Sequence, residues 1–452
     1  MAVQLIEPVP LRLSALKRKI ADRTARIGVA GIGYVGLPLA VEKAKVGFTV
    51  VGYDRNAIRV DQLNQGLNYI RDVDDRELAE MVESGHLSAT GDFAELAQCD
   101  VIIICVPTPL TANLDPDISY IRAVGEQVAE RLRPGQLVCL ESTTYPGTTD
   151  GVLLPILERS GLRVGEDFFL CFSPERVDPG NARYTTKNTN KIVGGVTAAC
   201  LDAGTSFYEQ TILEVLPVSS PRVAELTKVF ENTFRAVNIA LVNEMAMLCD
   251  RLGINIWEVI DAASTKPFGI MRFDPGPGVG GHCIPLDPFY LAWKAREYDF
   301  HVRFIELAGE INVGMPYFVR EKIVRALNER GRAIKDAKIL IVGVAYKRDV
   351  DDCRESPAVK VMELLAKDGA NIAYHDAHVP SFMTHDGTFW HSVPLSKGAL
   401  ESSDCVLILT DHSRVDYEAI VRHAPLVVDT RNATKAARSK LNGKPCENVV
   451  LL

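Results

Sequence analysis

A segment rich in glycine and proline, PGPGVGGHCIPLDPFY at 275–290, holds the residues best suited to covalent chemistry. Its composition disfavours helix and strand and predicts a structured loop. Cys283 follows Gly280 and Gly281, whose bare backbone lets a substrate carbon approach the sulfur. Four residues later, Asp287 offers a carboxylate that could transfer a proton or position water. A buried, inert cysteine is the alternative, and the glycine-lined loop favours the nucleophile.

Three polar residues share one face of a long helix that we predict over residues 222–252. Lys228, Asn232 and Arg235 are spaced i, i+4 and i+7. Such donors can face a cofactor and hold an oxygen as it gains negative charge. A solvated stripe with Glu231 as ion partner is equally consistent with the spacing. The helix itself is predicted because apolar positions recur regularly without internal Gly or Pro.

The segment GIGYVG at 31–36 fits the pattern GxGxxG between a predicted strand and a predicted helix, and Asp54 ends the next strand. The glycines permit a tight turn and close approach of a pyrophosphate to the helix N-terminus. The acid can bind the adenosine ribose and repel a 2′-phosphate, which favours NAD over NADP, although Arg55 could pair with such a phosphate. The predicted NAD contacts are Gly31, Ile32, Gly33, Tyr34, Val35, Gly36, Asp54 and Arg55.

Polar residues follow successive predicted strands: Thr108 in CVPTP, Thr143 in ESTTYPGTT and Glu175 in FSPER. The carboxyl ends of parallel strands meet at one edge of a sheet, where ligands bind. Each residue alone is more consistent with a loop cap. Together they predict the rim of a cofactor or substrate site.

Short apolar runs alternate with amphipathic segments from residue 26, and the same rhythm returns from about residue 338. This pattern is typical of parallel strands joined by helices. We therefore expect an α/β fold with two Rossmann-like, doubly wound parallel-sheet domains joined by a long central helix. Residues 1–25 are expected to form an N-terminal arm, which is either a short helix or a frayed segment. We expect the first Rossmann-like domain at 26–210, a central helical domain at 211–325 and the second Rossmann-like domain at 326–452.

Composition and charge exclude several classes of protein. With 452 residues, 47% hydrophobic and 24% charged, the chain is an ordinary folded protein, not a disordered or fibrous one. A net charge of −8 provides no general basic field for nucleic acid or an anionic membrane. No apolar run approaches the roughly 18 residues of a spanning helix, and residues 11–25 are too charged for a secretory core. A cytoplasmic protein is the expectation.

The 10 cysteines form no CxxC pair and have no metal-like spacing with histidine. Several, such as Cys105 and Cys405, lie inside apolar runs. We expect most of them to be buried and reduced, and we predict no metal site.

Four motifs carry a resemblance to a known family. SPERVDPG at 173–180, ELTKVFENTFRAVNIALVNE at 225–244, GPGVGGHCIPLDPFYL at 276–291 and AYKRDVDDCRESP at 345–357 resemble, in order and spacing, the UDP-sugar 6-dehydrogenases. The resemblance extends from about residue 26 to the C-terminus. It implies oxidation of the sugar C6 alcohol to the carboxylate, with two NAD per turnover.

The resemblance also implies roles for individual residues. The catalytic matches are Cys283 as nucleophile, forming a thiohemiacetal and then a thioester, Lys228 and Asn232 as oxyanion stabilisers, Asp287 and Glu175 as acid–base and water-positioning carboxylates, and Thr143 as a further water contact. The second sheet would bind uridine diphosphate. Substrate contacts would also include Arg235, Gly281, Lys347 and, in a neighbouring subunit, Arg272. Arg354 would approach the cofactor, or pair instead with Asp351 or Asp352.

The loop after the cysteine bears on the sugar. Members acting on UDP-glucose usually have Phe, a variable residue and Lys there, whereas this chain has Ile284, Pro285 and Leu286. The pattern resembles most closely the UDP-N-acetylglucosamine 6-dehydrogenases of bacterial surface-polysaccharide synthesis. Enzymes for UDP-N-acetylgalactosamine and UDP-N-acetylmannosamine share much of it, and UDP-glucose stays an alternative.

Two other functions are compatible with the general pattern. A regulator that binds a nucleotide sugar without turnover would be expected to lack Cys283, Lys228 or Asp287, and all three are present. A dehydrogenase of the 6-phosphogluconate type would share the domain order, but the SPER segment and the glycine-flanked cysteine disfavour it. The long helix predicts a homodimer or a larger homo-oligomer.

Overall fold

The computed structural model describes residues 11–70, 73–111, 113, 115–177, 181, 183–281, 284–384, 386–440 and 446–452. The chain divides into two compact units, Met1–Glu231 with Phe289–Phe300, and Asn232–Pro288 with His301–Leu452. Each unit is built on its own sheet.

The first unit contains an eight-stranded sheet in the order β3-β2-β1-β4-β5-β6-β7-β8. The neighbouring strands are parallel except β6 and β7, which are antiparallel. The described residues between these two strands form no α-helix, whereas parallel strands need a crossover connection. The strands are β1 Arg26–Ala30, β2 Thr49–Tyr53, β3 Leu87–Thr90, β4 Val101–Ile104, β5 Leu137–Leu140, β6 Phe169–Phe172, β7 Lys191–Gly195 and β8 Val215–Val218.

The central strands of this sheet are short, fully buried apolar runs, as in VIII of β4 and FLCF of β6. Such runs are expected where helices cover both faces of a parallel sheet. The covering helices are α1 Leu11–Ala21, α2 Gly36–Lys45, α3 Ala57–Asn64, α4 Asp75–Glu83, α5 Ser119–Ala129, α6 Leu154–Leu157 and α7 Ala198–Tyr208, with 3₁₀ or π turns at Phe93–Gln98, Thr149–Leu153 and Glu158–Ser160.

Helix α1 is part of the first core. Its Leu13, Leu16 and Ile20 are buried in the same apolar cluster as residues of β1, β4 and α7. The Nζ of Lys17 lies 2.6 Å from the Oδ1 of Asp202 on α7. Residues 11–21 therefore form a packed helix rather than a frayed segment.

The long central helix, α8, extends over Pro221–Leu252 without a break. The prediction of one helix over 222–252 is confirmed. Several of its apolar side chains stay exposed, and Phe230 is 62% exposed. The exposed apolar face of α8 consists of Val223, Leu226, Phe230, Phe234, Leu241, Met245, Leu248 and Leu252.

The second unit has a five-stranded parallel sheet in the order β10-β9-β13-β14-β15. Four of these strands match the predicted apolar runs, and β15 and the β11–β12 hairpin were not predicted. The strands are β9 Lys338–Val342, β10 Asn371–His375, β11 Ser381–Met383, β12 Phe389–His391, β13 Cys405–Ile408, β14 Val427–Asp429 and β15 Val449–Leu451. The remaining helices are α9 Ile256–Ala263, α10 Asp287–Arg296, α11 Arg303–Asn328, α12 Pro357–Lys367, α13 Lys397–Ser402, α14 Tyr417–His423 and α15 Lys435–Ser439.

The cysteines match their expected role in the core. Nine of them lie in the described ranges, all are free, and seven are buried. None of the described helices combines the length and the apolar character needed to cross a bilayer.

Candidate active site

The turn after β1 requires glycine. Gly31 has φ +94°, and a Cβ there would lie 2.3 Å from the carbonyl oxygen of Cys105. A Cβ on Gly36 would lie 1.8 Å from the carbonyl oxygen of Gly31. At Gly33 a Cβ would meet only Arg59, at 3.9 Å, so the space beside it is open. Helix α2 starts at Gly36, and the aliphatic side chain of Val35 cannot accept its first N–H groups. This turn fits the pyrophosphate of NAD.

Asp54 lies directly beside that turn. Its Oδ2 accepts a hydrogen bond from the backbone N–H of Ile32 at 3.2 Å, and its Oδ1 accepts one from Asn56 at 2.8 Å. The Nη1 of Arg59 is 3.6 Å from the same carboxylate. Asp54 therefore orients the glycine turn, and each carboxylate oxygen retains a lone pair for a ribose hydroxyl. Arg59 was not among the predicted residues.

The other residues predicted around this turn differ from one another in exposure. Ile32 is buried, Val35 is half-buried, and Tyr34 is 50% exposed. Arg55 is also exposed.

Thr108 and Thr143 are brought together at the ends of β4 and β5. The Oγ1 of Thr108 donates to the carbonyl oxygen of Thr143 at 2.7 Å. The hydroxyl of Tyr290 donates to the carbonyl oxygen of Thr108. The segment after Thr143 is held by Glu225, near the start of α8. Glu225 accepts hydrogen bonds from the backbone N–H groups of Gly147 and Thr149. Thr108 and Thr143, two of the three residues of the predicted rim, are thus joined by a hydrogen bond.

Glu175 lies against a buried ammonium. The Nζ of Lys191 is 3.4 Å from the Oε2 of Glu175 and 2.7 Å from the Oε2 of Glu141. Burial raises the pKa of Glu175. The opposite effect of Lys191, of hydrogen bonds from backbone N–H groups and of Lys228 is larger, so the pKa lies below its usual value. Glu175 is therefore an anion at neutral pH.

Lys228 and Asn232 are both buried, whereas Arg235 is exposed. Among the residues that the structure describes, none forms a hydrogen bond or ion pair with the ammonium of Lys228. Glu231, the alternative ion partner, is bound by the guanidinium of Arg176. A buried ammonium without such a partner suits a substrate oxygen that becomes negative.

Asn232 is paired with the carboxylate at the start of α10. Its Nδ2 donates to the Oδ2 of Asp287 at 2.5 Å, and both side chains are buried. The structure thus brings together two residues that are 55 positions apart in the sequence.

The cysteine loop is shaped by close packing. A Cβ on Gly276 would lie 2.4 Å from the guanidinium of Arg431, and one on Gly280 would lie 2.8 Å from Tyr346. Gly281 has φ +86° and lies against the ring of Tyr346. The glycines therefore also serve the packing of the loop against the second sheet's turns. Cys283, the predicted nucleophile, and His282 lie outside the described residues.

The first turn of the second sheet is organised like the turn after β1. Gly343 has φ +84°, and the Oδ2 of Asp376 accepts hydrogen bonds from the N–H groups of Val344 and Ala345 at 2.8 and 3.1 Å. Asp376 follows β10 as Asp54 follows β2. This turn leads directly to Lys347, which is half-buried.

The two remaining predicted arginines are bound to carboxylates. Both Nε and Nη2 of Arg354 donate to Asp352, at 2.9 and 2.8 Å, as the alternative interpretation proposed. Arg272 forms ion pairs with Asp261 and Asp274 at 2.8 and 2.9 Å.

Within the described ranges, one grouping of side chains has the spacing of a metal site: Asp349, His378 and His412. However, the Nδ1 of His412 accepts the backbone N–H of Asp349 at 2.9 Å, and its Nε2 lies 3.0 Å from Asp376. Both ring nitrogens are thus used, and we infer no metal site there.

Sequence reasoning missed Glu141, Lys191, Asp376, His412 and Arg431. Glu141 and Asp376 directly follow β5 and β10, and Lys191 is the first residue of β7. His412 comes four residues after β13, and Arg431 follows β14 in the run VVDTRN. That run and the acid after β10 offered the same signal as Asp54 after β2.

Comparisons with known proteins match three successive parts of the chain to one family. Models of the UDP-glucose/GDP-mannose dehydrogenase family match the chain at 25–212 (NAD binding domain), 222–313 (central domain) and 340–436 (UDP binding domain). The chain belongs to this family. It is an NAD-dependent UDP-sugar 6-dehydrogenase. The expected α/β fold, with two Rossmann-like parallel-sheet domains and a long central helix, is confirmed.

Individual relatives of the family differ in their sugar. The chain is 37% identical to the UDP-N-acetyl-D-mannosamine dehydrogenase of Pyrococcus horikoshii, over 91% of this chain and 96% of that protein. It is 38% identical to the UDP-N-acetyl-D-glucosamine 6-dehydrogenase of Pseudomonas aeruginosa, over 78% and 83%. The solved structure of the Pyrococcus horikoshii enzyme superposes with a TM-score of 0.83 at 34% identity, covering 94% of this chain and 98% of that one.

Proposed function

We propose that this dehydrogenase oxidises UDP-N-acetyl-D-glucosamine to the corresponding uronic acid, for surface-polysaccharide precursor synthesis. Ile284, Pro285 and Leu286, which follow the cysteine, support an N-acetylated sugar over UDP-glucose. The 38% identical relative that acts on this substrate is consistent with the choice. UDP-N-acetylmannosamine, UDP-N-acetylgalactosamine and UDP-glucose are the alternatives.

The observation that carries the chemistry is the buried hydrogen bond between Asn232 and Asp287. It places an amide donor and a carboxylate together, and Asp287 comes four residues after Cys283. An oxyanion needs fixed donors, and proton transfer needs a nearby carboxylate. The pair therefore supports the catalytic roles of both residues.

NAD, when bound at the turn 31–36, would accept the hydride that leaves C6 in each of the two oxidations. The chain's own residues would act between and after these events. The thiolate of Cys283 would add to the C6 aldehyde, while Lys228 and Asn232 hold the negative oxygen. The second oxidation leaves a thioester, and Glu175 with Thr143 would direct water to it.

The second unit would bind the nucleotide part of the substrate. Lys347 follows the turn that Asp376 holds, so its ammonium is well placed in the chain to meet phosphate oxygens. Gly281 and Arg235 are the other proposed substrate contacts, and Arg272 is proposed to reach the site of a neighbouring subunit. Arg354 stays a proposed cofactor contact, in competition with its pairing to Asp352.

The substrate assignment can be tested with a panel of UDP-hexoses and UDP-N-acetylhexosamines, in which NADH is counted per sugar consumed. We expect two NADH per sugar, and the highest kcat/KM with UDP-N-acetylglucosamine. A higher kcat/KM for another UDP-sugar would refute the assignment. One NADH per sugar at completion would refute the four-electron reaction.

We also propose a homodimer in which the exposed apolar face of α8 is buried. Eight large apolar side chains on one helix are otherwise in contact with water. Light scattering of the purified enzyme should give twice the chain mass of 49.6 kDa. Phe230→Glu places a charge in this face and should give monomers, whereas Phe389→Glu, at another exposed apolar position, should not. A monomeric wild-type enzyme would contradict the proposal.

The location and the domain limits remain proposals as well. Free thiols in the described core suit a reducing compartment, so we propose the cytoplasm. We also propose that 26–210, 211–325 and 326–452 act as the NAD-binding, central and UDP-binding parts.

A further inference from the structure

We propose that Lys191 is a positioning residue for the hydrolysis of the thioester. In this role Glu141 fixes the position of the Lys191 ammonium. The ammonium in turn holds Glu175 as the anionic base that activates the attacking water. The inference rests on the proposed function, since it concerns one step of that reaction.

Lys191 is the first residue of β7, and its ammonium lies between two carboxylates. The Nζ is 2.7 Å from the Oε2 of Glu141 and 3.4 Å from the Oε2 of Glu175. The Lys191 and Glu141 side chains are 4% and 0% exposed, so water cannot replace either partner. Removal of one partner from a buried ion pair of this kind strongly destabilises the protein, because the other charge is left uncompensated. The ammonium is therefore fixed in place and stays charged.

Glu175 is held by both of its oxygens. Its Oε1 accepts hydrogen bonds from the backbone N–H groups of Arg176 and Val177, at 2.7 and 2.8 Å. Its Oε2 faces Lys191. At 17% exposure Glu175 is the most open member of the three, so it is the one that water can reach. The carboxylate is thus oriented before a substrate binds.

Glu141 is anchored on its other oxygen. The hydroxyl of Tyr208, on α7, donates to the Oε1 of Glu141 at 2.6 Å. Because Glu141 is bound on both sides, it fixes the position of the Lys191 ammonium. Lys191 opens β7, Glu141 follows β5 and Tyr208 ends α7. None of them is among the residues matched to the family's catalytic set.

Other charged groups also face Glu175. Lys228 on α8 favours its anionic form, and the guanidinium of Arg176 is directed to Glu231 and to the carbonyl oxygen of Asn190. Cys105, at the end of β4, is buried, and burial raises the pKa of its thiol, so it stays neutral. Of these groups, Lys191 lowers the pKa of Glu175 most.

The step itself is a balanced hydrolysis. Glu175 takes one proton from water, and the oxygen adds to the thioester carbonyl. The carbon–sulfur bond then breaks, and the electron pair leaves with the sulfur of Cys283 as thiolate. The sugar carboxylic acid and the protonated Glu175 each lose one proton to solvent. No further oxidant is needed, since both oxidations precede this step. A neutral Glu175 cannot accept the proton, so the rate requires the anion.

Lys191→Met and Glu141→Gln test the proposal because their effects should be opposite in sign. Without the ammonium, the pKa of Glu175 rises, and the acidic limb of the hydrolysis rate should move up by about one to two pH units. Without the Glu141 charge, Lys191 has Glu175 as its only carboxylate partner, and the limb should move to lower pH. Lys191→Arg should restore part of the wild-type profile.

Hydrolysis can be separated from oxidation by rapid mixing of the holoenzyme with UDP-N-acetylglucosamine. In Lys191→Met, at a pH on its displaced acidic limb, we expect a burst of two NADH per subunit, then a slow phase about ten-fold below the wild-type rate at the same pH. Intact-mass spectrometry should detect the accumulated acyl-enzyme. Lys322→Met, which removes another buried ammonium, the partner of Asp250 in the second unit, should produce no burst.

The outcomes separate the inference from the proposed function. Limbs that stay in place, or move in the same direction in both charge variants, would overturn the role of Lys191. If Lys191→Met does not fold, Glu141→Gln alone still decides, through the sign of its shift. If the wild-type enzyme itself does not give two NADH per sugar, the proposed function fails instead.

Discussion

Serine in place of Cys283 should stop net formation of the sugar acid. A serine hydroxyl ionises at far higher pH than a thiol with its usual pKa of about 8.5, so it adds poorly to an aldehyde. Without the sulfur adduct, the aldehyde has no good route to the acid. We expect the rate of two-NADH turnover to fall at least about 1,000-fold. NADH per sugar at completion, together with the product mass, measures this directly.

The matched control is Cys446→Ser, which makes the same chemical change at a half-buried cysteine outside the catalytic set. Its turnover should equal that of the wild type. Two NADH per sugar at an undiminished rate in Cys283→Ser would contradict covalent catalysis by this residue.

The second large effect is expected at Asp376, where alanine should destabilise the second unit by about 3–5 kcal/mol. Its carboxylate accepts hydrogen bonds from the backbone N–H groups of Val344, Ala345, His378 and Val379 and lies 3.0 Å from the Nε2 of His412. Alanine leaves these buried donors without an acceptor. The free energy of unfolding from urea denaturation gives the loss.

The pH dependence of stability has a definite sign. Burial raises the pKa of Asp376, but His412 and the backbone N–H groups lower it more, to about 2. A carboxyl with a depressed pKa stabilises the fold above its unfolded pKa of about 4, and this stabilisation is lost as the pH falls through about 2. In Asp376→Ala the wild-type loss of stability between pH 4 and pH 2 should therefore be smaller.

A cap residue in the same unit is the control for Asp376. The exposed Asp416 accepts the N–H of Ala419 at the start of α14, and its replacement by alanine should cost only about 1 kcal/mol. In the fraction of Asp376→Ala that folds, KM for the UDP-sugar should rise, because the turn before Lys347 loses the carboxylate that accepts its N–H groups. Equal unfolding free energies for the two variants would refute the central role of Asp376.

The long central helix and the main apolar strands were predictable from the sequence because local periodicity encodes them. Helix α8 begins one residue before its predicted start and ends where expected. The turn at 31–36 and its acid Asp54 follow from a pattern in which glycine is sterically required. The reversed direction of β7 was not predicted, since apolar runs do not encode strand direction.

The contacts that set charge were not predictable in the same way. Lys191 and Glu141 are 50 residues apart, and His412 and Asp376 are 36 apart. Such pairs depend on strand order and register, which no local spacing specifies. Arg354 and Asp352, by contrast, are two residues apart, and their pairing was already an alternative in the sequence.

The buried cysteines of both units affect how the protein will react with electrophiles. Burial raises the pKa of Cys105, Cys200 and Cys405, the last to about 12, so these sulfurs are shielded and protonated. Alkylating reagents and covalent inhibitors act on thiolates. Selectivity for the sulfur at position 283 therefore has to be achieved mainly against the half-buried Cys353 and Cys446.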